Sequence, residues 1–93
     1  MKLEKTNRGF SIIKFKDRYK VECSIQKSSL ASEDAIWLGC DDANSEILIP
    51  GQGWQKYDIP KEVSLTTRMH LTQKQVKKLL PILQKFAETG EIN

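Results

Sequence analysis

The sequence predicts an α+β domain: a four-stranded, mainly antiparallel sheet with one C-terminal helix packed on one of its faces, in the order β-β-β-β-α. Three observations predict it. Apolar and polar residues alternate over Tyr19–Gln26 and again over Val63–His70, the period of a half-buried strand. Ala35-Ile36-Trp37-Leu38-Gly39-Cys40 is a short continuous apolar run, which reads as a buried central strand. Near the C-terminus, Val76, Leu79, Leu80, Leu83, Phe86 and Ala87 recur at helical spacing and make one stripe.

The chain has 93 residues, which suits one domain spanning 1–93, with residues 1–8 expected to be a flexible lead-in. A chain of this length buries roughly 60–65% of the surface its unfolded form exposes, enough for one core if a helix covers a sheet. Phe10–Phe15 is rich in aromatic and β-branched residues and reads as the first strand. Asp17-Arg18-Tyr19-Lys20 supplies a turn, and the strand through Val21, Cys23 and Ile25 completes a hairpin. Ser28–Asp34 is polar and rich in turn formers. Glu46–Lys61 contains Pro50, Gly51, Gly53 and Pro60, so an irregular excursion is expected there, with only Ile47-Leu48-Ile49 able to pair. Val63, Leu65, Thr67 and Met69 mark a last strand.

The helix, over about residues 73–89, has the clearest local signals. Thr72 and Gln75 have the spacing of a capping box, Leu71 and Val76 that of a hydrophobic staple, and Gly90 is placed to end the helix. Pro81 lies inside and predicts a kink, because it removes the amide that would bond to the carbonyl of Lys77. Wrapping of a bent helix over a twisted sheet would account for it. The expected core is Phe15, Val21, Cys23, Ile25, Ile36, Leu38, Leu65, Met69, Val76, Leu79, Leu80, Leu83 and Phe86.

Charge is unevenly distributed. Residues 1–27 carry a balance of +5, residues 28–62 one of −5, and residues 63–93 one of +3, for a net charge of +3. If the two basic ends lie together, the molecule is dipolar, which suits steering of a charged partner. Cys23 and Cys40 form no disulfide framework, and no apolar stretch reaches the roughly 18 residues of a membrane span. Met1–Asn7 has no apolar run of the signal-peptide kind. A reducing cytoplasm is the expected setting.

Catalytic motifs are missing from the pattern. Gly51-Gln52-Gly53-Trp54 leads to no helix, whereas a phosphate loop needs convergent amides at a helix start. Cys23, Cys40 and His70 stand singly and lack metal-ligand spacing, and Asp41-Asp42 with Glu46 is too sparse for a calcium loop. A binding protein is therefore expected, with no enzymatic activity, no cofactor and no metal.

Several segments together resemble a family of small phage and prophage proteins. They are Gly9-Phe10, Phe15-Lys16-Asp17-Arg18-Tyr19, Cys23–Ala31, Ile36-Trp37-Leu38-Gly39, Arg68-Met69-His70-Leu71-Thr72, Gln75-Val76, Leu79-Leu80-Pro81 and Thr89-Gly90-Glu91. The resemblance covers most of residues 9–92 but not 41–62. A glycine commonly follows the Asp-Arg-Tyr turn in that family, and here the position is Lys20. A phage origin implies a protein that binds and disables a host protein, in the host cytoplasm, as an inhibitor of anti-phage defence.

The second reading from the residues is a nucleic-acid or small-nucleotide binder. Lys14, Lys16, Arg18 and Lys20 line the first hairpin with Phe15 and Tyr19 between them, offering phosphate contacts and stacking surfaces. Gln26, Lys27, Ser28 and Ser29 would converge with Arg68, His70 and Thr72 if the first and last strands neighbour each other, making an anion or nucleotide pocket near the helix start. An exposed sheet edge would also permit a homodimer.

Overall fold

A computed structural model describes all residues 1–93. The expected α+β class, with an antiparallel sheet and one C-terminal helix, is present; the sheet has five strands rather than four. In chain order the strands are β1 (Leu3–Lys5), β2 (Ser11–Lys16), β3 (Glu22–Lys27), β4 (Ala35–Cys40), β5 (Glu46–Ile49), β6 (Gly53–Lys56) and β7 (Arg68–Thr72), followed by helix α1 (Gln73–Thr89). The main sheet runs β1-β2-β3-β4-β7, antiparallel throughout, and β5 and β6 form a separate hairpin.

The fifth strand comes from the lead-in. Residues 3–5, expected within a flexible segment, pair with β2 through Leu3↔Ile13, Glu4↔Ile12 and Lys5↔Ser11. The segment 46–61, expected to be irregular, folds back at Ile49–Gln52, where the Gln52 amide donates to the Ile49 carbonyl at 2.9 Å. That is a turn on the Pro50-Gly51 dipeptide.

The β2–β3 turn is built by Asp17. Its carboxylate accepts from the amides of Tyr19 at 2.8 Å and Val21 at 3.0 Å. This arrangement throws Lys20 into the left-handed region, at φ 64°. A side chain there costs roughly 1–2 kcal/mol relative to right-handed backbone, whereas glycine tolerates it. Lys20→Gly is therefore expected to stabilise the fold by about 0.5–1 kcal/mol. Urea unfolding would show a higher midpoint; an unchanged or lower one would contradict the turn.

The strand register sorts side chains onto two faces, because residues paired across strands share a face and alternate along each strand. One face is apolar: Leu3, Ile13, Ile25, Leu38 and Met69 form a row across the sheet, flanked by Phe15, Cys23 and Cys40 on one side and Ile36 and Leu71 on the other. The other face carries Glu4, Ile12, Gln26, Trp37 and His70 in one row, and Lys14, Ser24, Gly39 and Arg68 in the next.

The helix begins as expected. The Gln75 amide donates to Thr72 Oγ1 at 3.2 Å, and the Thr72 amide donates to Gln75 Oε1 at 3.0 Å, completing the capping box. Gly90 ends it in the left-handed conformation at φ 78°, its amide donating to the Phe86 carbonyl at 2.8 Å. Pro81 is accommodated within its 17 residues.

The position of the helix corrects the expected packing. Helix α1 makes its packing contacts with β7, the strand it grows from, and does not lie across a face of the sheet. Thr72 is both the last residue of β7 and the helix N-cap, so no linker exists over which the chain could reverse. Wrapping over the sheet thus does not account for Pro81. The expected core falls with that packing: Leu79, Leu80, Leu83 and Phe86 on the helix are exposed, as are Leu65 and Met69, and of the expected core residues only Cys23 is fully buried. No helix is long and apolar enough to cross a membrane.

Cys23 and Cys40 face each other across β3 and β4, with 3.9 Å between the sulfurs. Burial, and next the hydrogen bond and charge of Cys40, push the Cys23 thiol above its ordinary 9.0. The thiolate is the nucleophile, so a raised pKa means slower alkylation at a given pH. Iodoacetamide at pH 7.5 is expected to label half-buried Cys40 before buried Cys23; mass spectrometry of the tryptic peptides checks this. Equal labelling at pH 7.5 would contradict it.

Candidate functional site

The polar face of the sheet gathers aromatic, cationic and hydrogen-bonding side chains that touch one another. Strand β4 lies between β3 and β7, so residues from the last strand and from the hairpin meet over it. Trp37 stands at the centre. His70, directly opposite on β7, stacks on its indole with centroids 3.8 Å apart and planes at 8°. Arg68 places its guanidinium carbon 5.5 Å from the same ring.

Hydrogen bonds lock this cluster across three strands. Arg68 Nη1 donates to Gln26 Oε1 at 2.9 Å. His70 Nε2 and Ser28 Oγ are paired at 2.9 Å, and Ser28 Oγ also accepts from the Leu30 amide at 3.2 Å. Ser28 is buried, and Arg68, Gln26 and Trp37 are half-buried. Guanidinium can only donate, so its bond fixes the orientation of the Gln26 amide: oxygen toward Arg68, NH2 free to donate elsewhere.

Beside Trp37, on the β1–β2 side, lies a cavity of about 390 Å³ lined by Thr6, Arg8, Phe10, Gln26, Ser29 and Trp37 among others. The volume is within the range of small-ligand sites, about 300–1,000 Å³. The β1–β2 connection shapes its mouth: the Phe10 amide donates to Thr6 Oγ1 at 3.0 Å, and the Gly9 amide to the Thr6 carbonyl at 2.9 Å. Arg8 folds over Phe10, its guanidinium carbon 5.5 Å from the ring centre. The cavity therefore combines two aromatic rings, one cationic group, an oriented amide and two hydroxyls.

Gly39 sets how closely β7 approaches. A Cβ at this position would lie 2.5 Å from the Thr67 carbonyl oxygen and 2.8 Å from Arg68 Cα, both backbone atoms, and φ is +149°. Only glycine lets β4 and β7 come this near, and that proximity delivers Arg68 to Trp37. Ser24, next to Gly39 and fully buried, donates to Asp41 Oδ1 at 2.6 Å. Asp41 thus anchors the chain as it leaves β4.

Of the expected binding residues, Gln26, Ser28, Arg68 and His70 come together, not because the first and last strands are neighbours but because β3 and β7 both flank β4, and Ser29 lines the adjoining cavity. Lys27 does not join them. It belongs to the opposite face, where its ammonium binds Asp34 Oδ1 at 2.6 Å. By hydrogen bond first and charge second, Lys27 holds the Asp34 carboxyl below its ordinary value. What that exposed pair contributes is present at neutral pH and is lost as pH falls through the lowered pKa. Lys14 and Lys16 share the polar face, with Lys16 3.5 Å from Glu22. Arg18 and Lys20 sit in the turn, about six residues and so roughly 20 Å along β3 from Gln26. The turn residues Arg18 and Lys20 are thus apart from the Arg68 corner, whereas Lys14 lies in the same cross-sheet row as Arg68.

Trp37, Phe10 and Arg8 were not among the expected site residues. Trp37 is hidden by the uniformly apolar run of β4, which gives no sign of which face each residue takes. Arg8 and Phe10 flank a glycine turn whose placement depends on β1, itself unsignalled in three residues. A larger cavity of about 750 Å³ lies at the other end of the sheet, among Tyr19, Lys20, Asp41, Asp42, Lys56 and Tyr57. Its charges are mixed in sign, and it brings together none of the clustered residues.

No family model, curated protein or solved structure matches the chain.

Proposed function

We propose that this chain is a non-enzymatic binding protein of phage origin, acting in the bacterial cytoplasm, whose polar sheet face holds a small nucleotide. The observation that supports the reading is the double use of Trp37: His70 stacks on it, and it also walls the cavity that contains Arg8, Phe10, Gln26 and Ser29. A planar base would stack against Trp37, as bases do on aromatic side chains in general. The free NH2 of Gln26 would donate to an acceptor on the base edge, and the Arg8 guanidinium would pair with phosphate, where a charged fork is strongest. Arg68 and His70 would act from behind, holding Gln26 and Trp37 in place.

Calorimetry with a panel of nucleoside mono- and triphosphates, the matching nucleosides and a short single-stranded oligonucleotide tests this. The expected result is saturable binding of nucleotides, with nucleosides weaker. Arg8→Ala should weaken nucleotide binding about 10- to 100-fold, as expected for loss of a charge-assisted bond of roughly 1.5–3 kcal/mol. Nucleosides should bind the variant as they bind the native chain. Equal affinity of nucleotide for both proteins would overturn the assignment of Arg8.

The resemblance to phage proteins favours a second reading, inhibition of a host anti-phage defence protein by direct docking. Its test is a tagged pull-down from host lysate with and without nuclease. One stoichiometric host protein that survives nuclease supports it, and recovery of nucleic acid alone, lost on nuclease treatment, counts against it.

A further inference from the structure

The chain carries two apolar surfaces of matching kind and covers neither of them. One is the sheet face of Leu3, Ile13, Ile25, Leu38 and Met69; the other is the stripe of Leu79, Leu80, Leu83 and Phe86 on α1. On the helix, Leu80, Leu83 and Phe86 are 58%, 57% and 55% exposed, as if no protein layer existed above them. An amphipathic helix and a one-sided antiparallel sheet are the two halves of an ordinary α+β layer pair. Here both halves are present in one chain, in equal number, and apart.

The chain cannot bring them together by itself. Thr72 ends β7 and caps α1 with no residue between, whereas a reversal of direction over a sheet face takes a connection of about 2–6 residues. Three hydrogen bonds then hold the exit direction: the two of the capping box, and the Gln73 amide to the Asp34 carbonyl at 3.0 Å. Val76 alone, in the first turn, stays near the sheet, beside Ile36 and Leu71 with a cavity of about 370 Å³ among them. Beyond it the stripe leaves the sheet behind.

Size agrees with an open protomer. A compact 93-residue domain has a radius of gyration of about 12 Å, and this chain has 16.5 Å. A folded monomer of 10.7 kDa exposes about 5,500 Å², and this one exposes 8080 Å². The surplus, roughly 2,600 Å² per chain, is enough to supply the about 1,000–2,500 Å² that each partner contributes to a large obligate dimer interface. Lengths agree as well. The apolar row crosses four strand spacings, about 19 Å, and the stripe from Val76 to Phe86 runs about 15 Å at 1.5 Å per residue.

We propose that the protein is a helix-exchanged homodimer, in which α1 of each copy lies across the apolar sheet face of the other. The occupant of each uncovered surface is then the other surface of a second copy. The exchange closes with twofold symmetry, since each copy gives one helix and receives one, and nothing is left over to propagate. A linker too short to close within one chain is the condition that drives such exchange. The dimer uses the sheet face opposite Trp37, so both polar faces point outward and remain free.

The test combines mass in solution with the identity of the contacts. Light scattering after size exclusion is expected to return twice the 10.7 kDa chain mass at micromolar concentration. The double variant Leu79→Asp/Leu83→Asp changes only residues that are exposed in the single chain, and it is expected to give a folded monomer or a mixture shifted at least tenfold toward monomer. In a mixed sample of labelled and unlabelled chains, isotope-filtered NOEs should connect the Leu83 methyls of one copy with Ile25 and Leu38 methyls of the other. A native chain that is monomeric at 100 µM would overturn the proposal. A dimer that survives the double variant, as an edge-to-edge strand pairing would, or NOEs that arise only within one chain, would overturn it too.

Discussion

Gly39→Ala is expected to destabilise the protein by about 3 kcal/mol, the largest loss for any single methyl group added to the sheet. Two penalties coincide. The backbone at φ +149° is one that residues with a Cβ rarely adopt, and the new methyl would press on the Thr67 carbonyl oxygen at 2.5 Å and on Arg68 Cα at 2.8 Å. No flexible side chain can move aside, since both neighbours are backbone. The Cys40 amide donates to that same Thr67 carbonyl at 3.1 Å, so relief by shifting β7 would break the bond that starts the β4–β7 pairing. The consequence reaches the polar face, because β7 carries Arg68 and His70. Denaturant unfolding should show the loss, and indole fluorescence should report a looser Trp37–His70 stack. A variant within 1 kcal/mol of the native chain would mean that β4 and β7 are not held so close.

The second large effect concerns ligand affinity. Trp37→Ala is expected to reduce nucleotide affinity about 10- to 100-fold, since a base stacked on an aromatic side chain is worth roughly 1–3 kcal/mol. The variant removes one wall of the cavity and also the ring on which His70 stacks. Trp37→Phe separates these effects: a smaller ring retains a stacking face, and affinity should fall by less than tenfold. Calorimetry on both variants, with unfolding curves to confirm that each is folded, decides the matter. Equal losses for Ala and Phe would point away from stacking.

How much was legible in the sequence depends on whether a feature is local. The Ala35–Cys40 strand and the Thr72–Gln75 capping box were readable because a handful of neighbouring residues determine them. The last strand was displaced: alternation over Val63–Met69 suggested it, yet it forms at Arg68–Thr72. Alternation sets which face a side chain takes, but a strand exists only where a partner strand supplies hydrogen bonds. Strand β4 ends at Cys40, so residues before Thr67 have no strand to pair with. Strands β1 and β6 escape the sequence for a related reason, being three- and four-residue segments that only pairing defines, whereas β5 falls on Ile47-Leu48-Ile49, the one stretch of that excursion expected to pair.

The helix shows the same limit in packing. Its stripe was readable residue by residue, but the expectation that it covers its own sheet assumed a linker that Thr72 does not provide. At the candidate site, Gln26, Ser28, Arg68 and His70 are legible as polar residues within the segments that carry the phage resemblance, and their convergence depends on strand order. Trp37 carried no polar signal within an apolar run, so its face became known only from the pairing of Gln26, Trp37 and His70.

The central claim is that the Trp37 face holds a nucleotide, and the most direct measurement is a fluorescence titration of Trp37 alone. Trp54 is 65% exposed on the separate hairpin, so Trp54→Phe leaves Trp37 as the sole indole without touching the site. Nucleotide added to this variant is predicted to quench Trp37 saturably, and the quenching should be lost when Arg8→Ala is added at the same ligand concentration. Emission that stays unchanged up to millimolar nucleotide would contradict the claim.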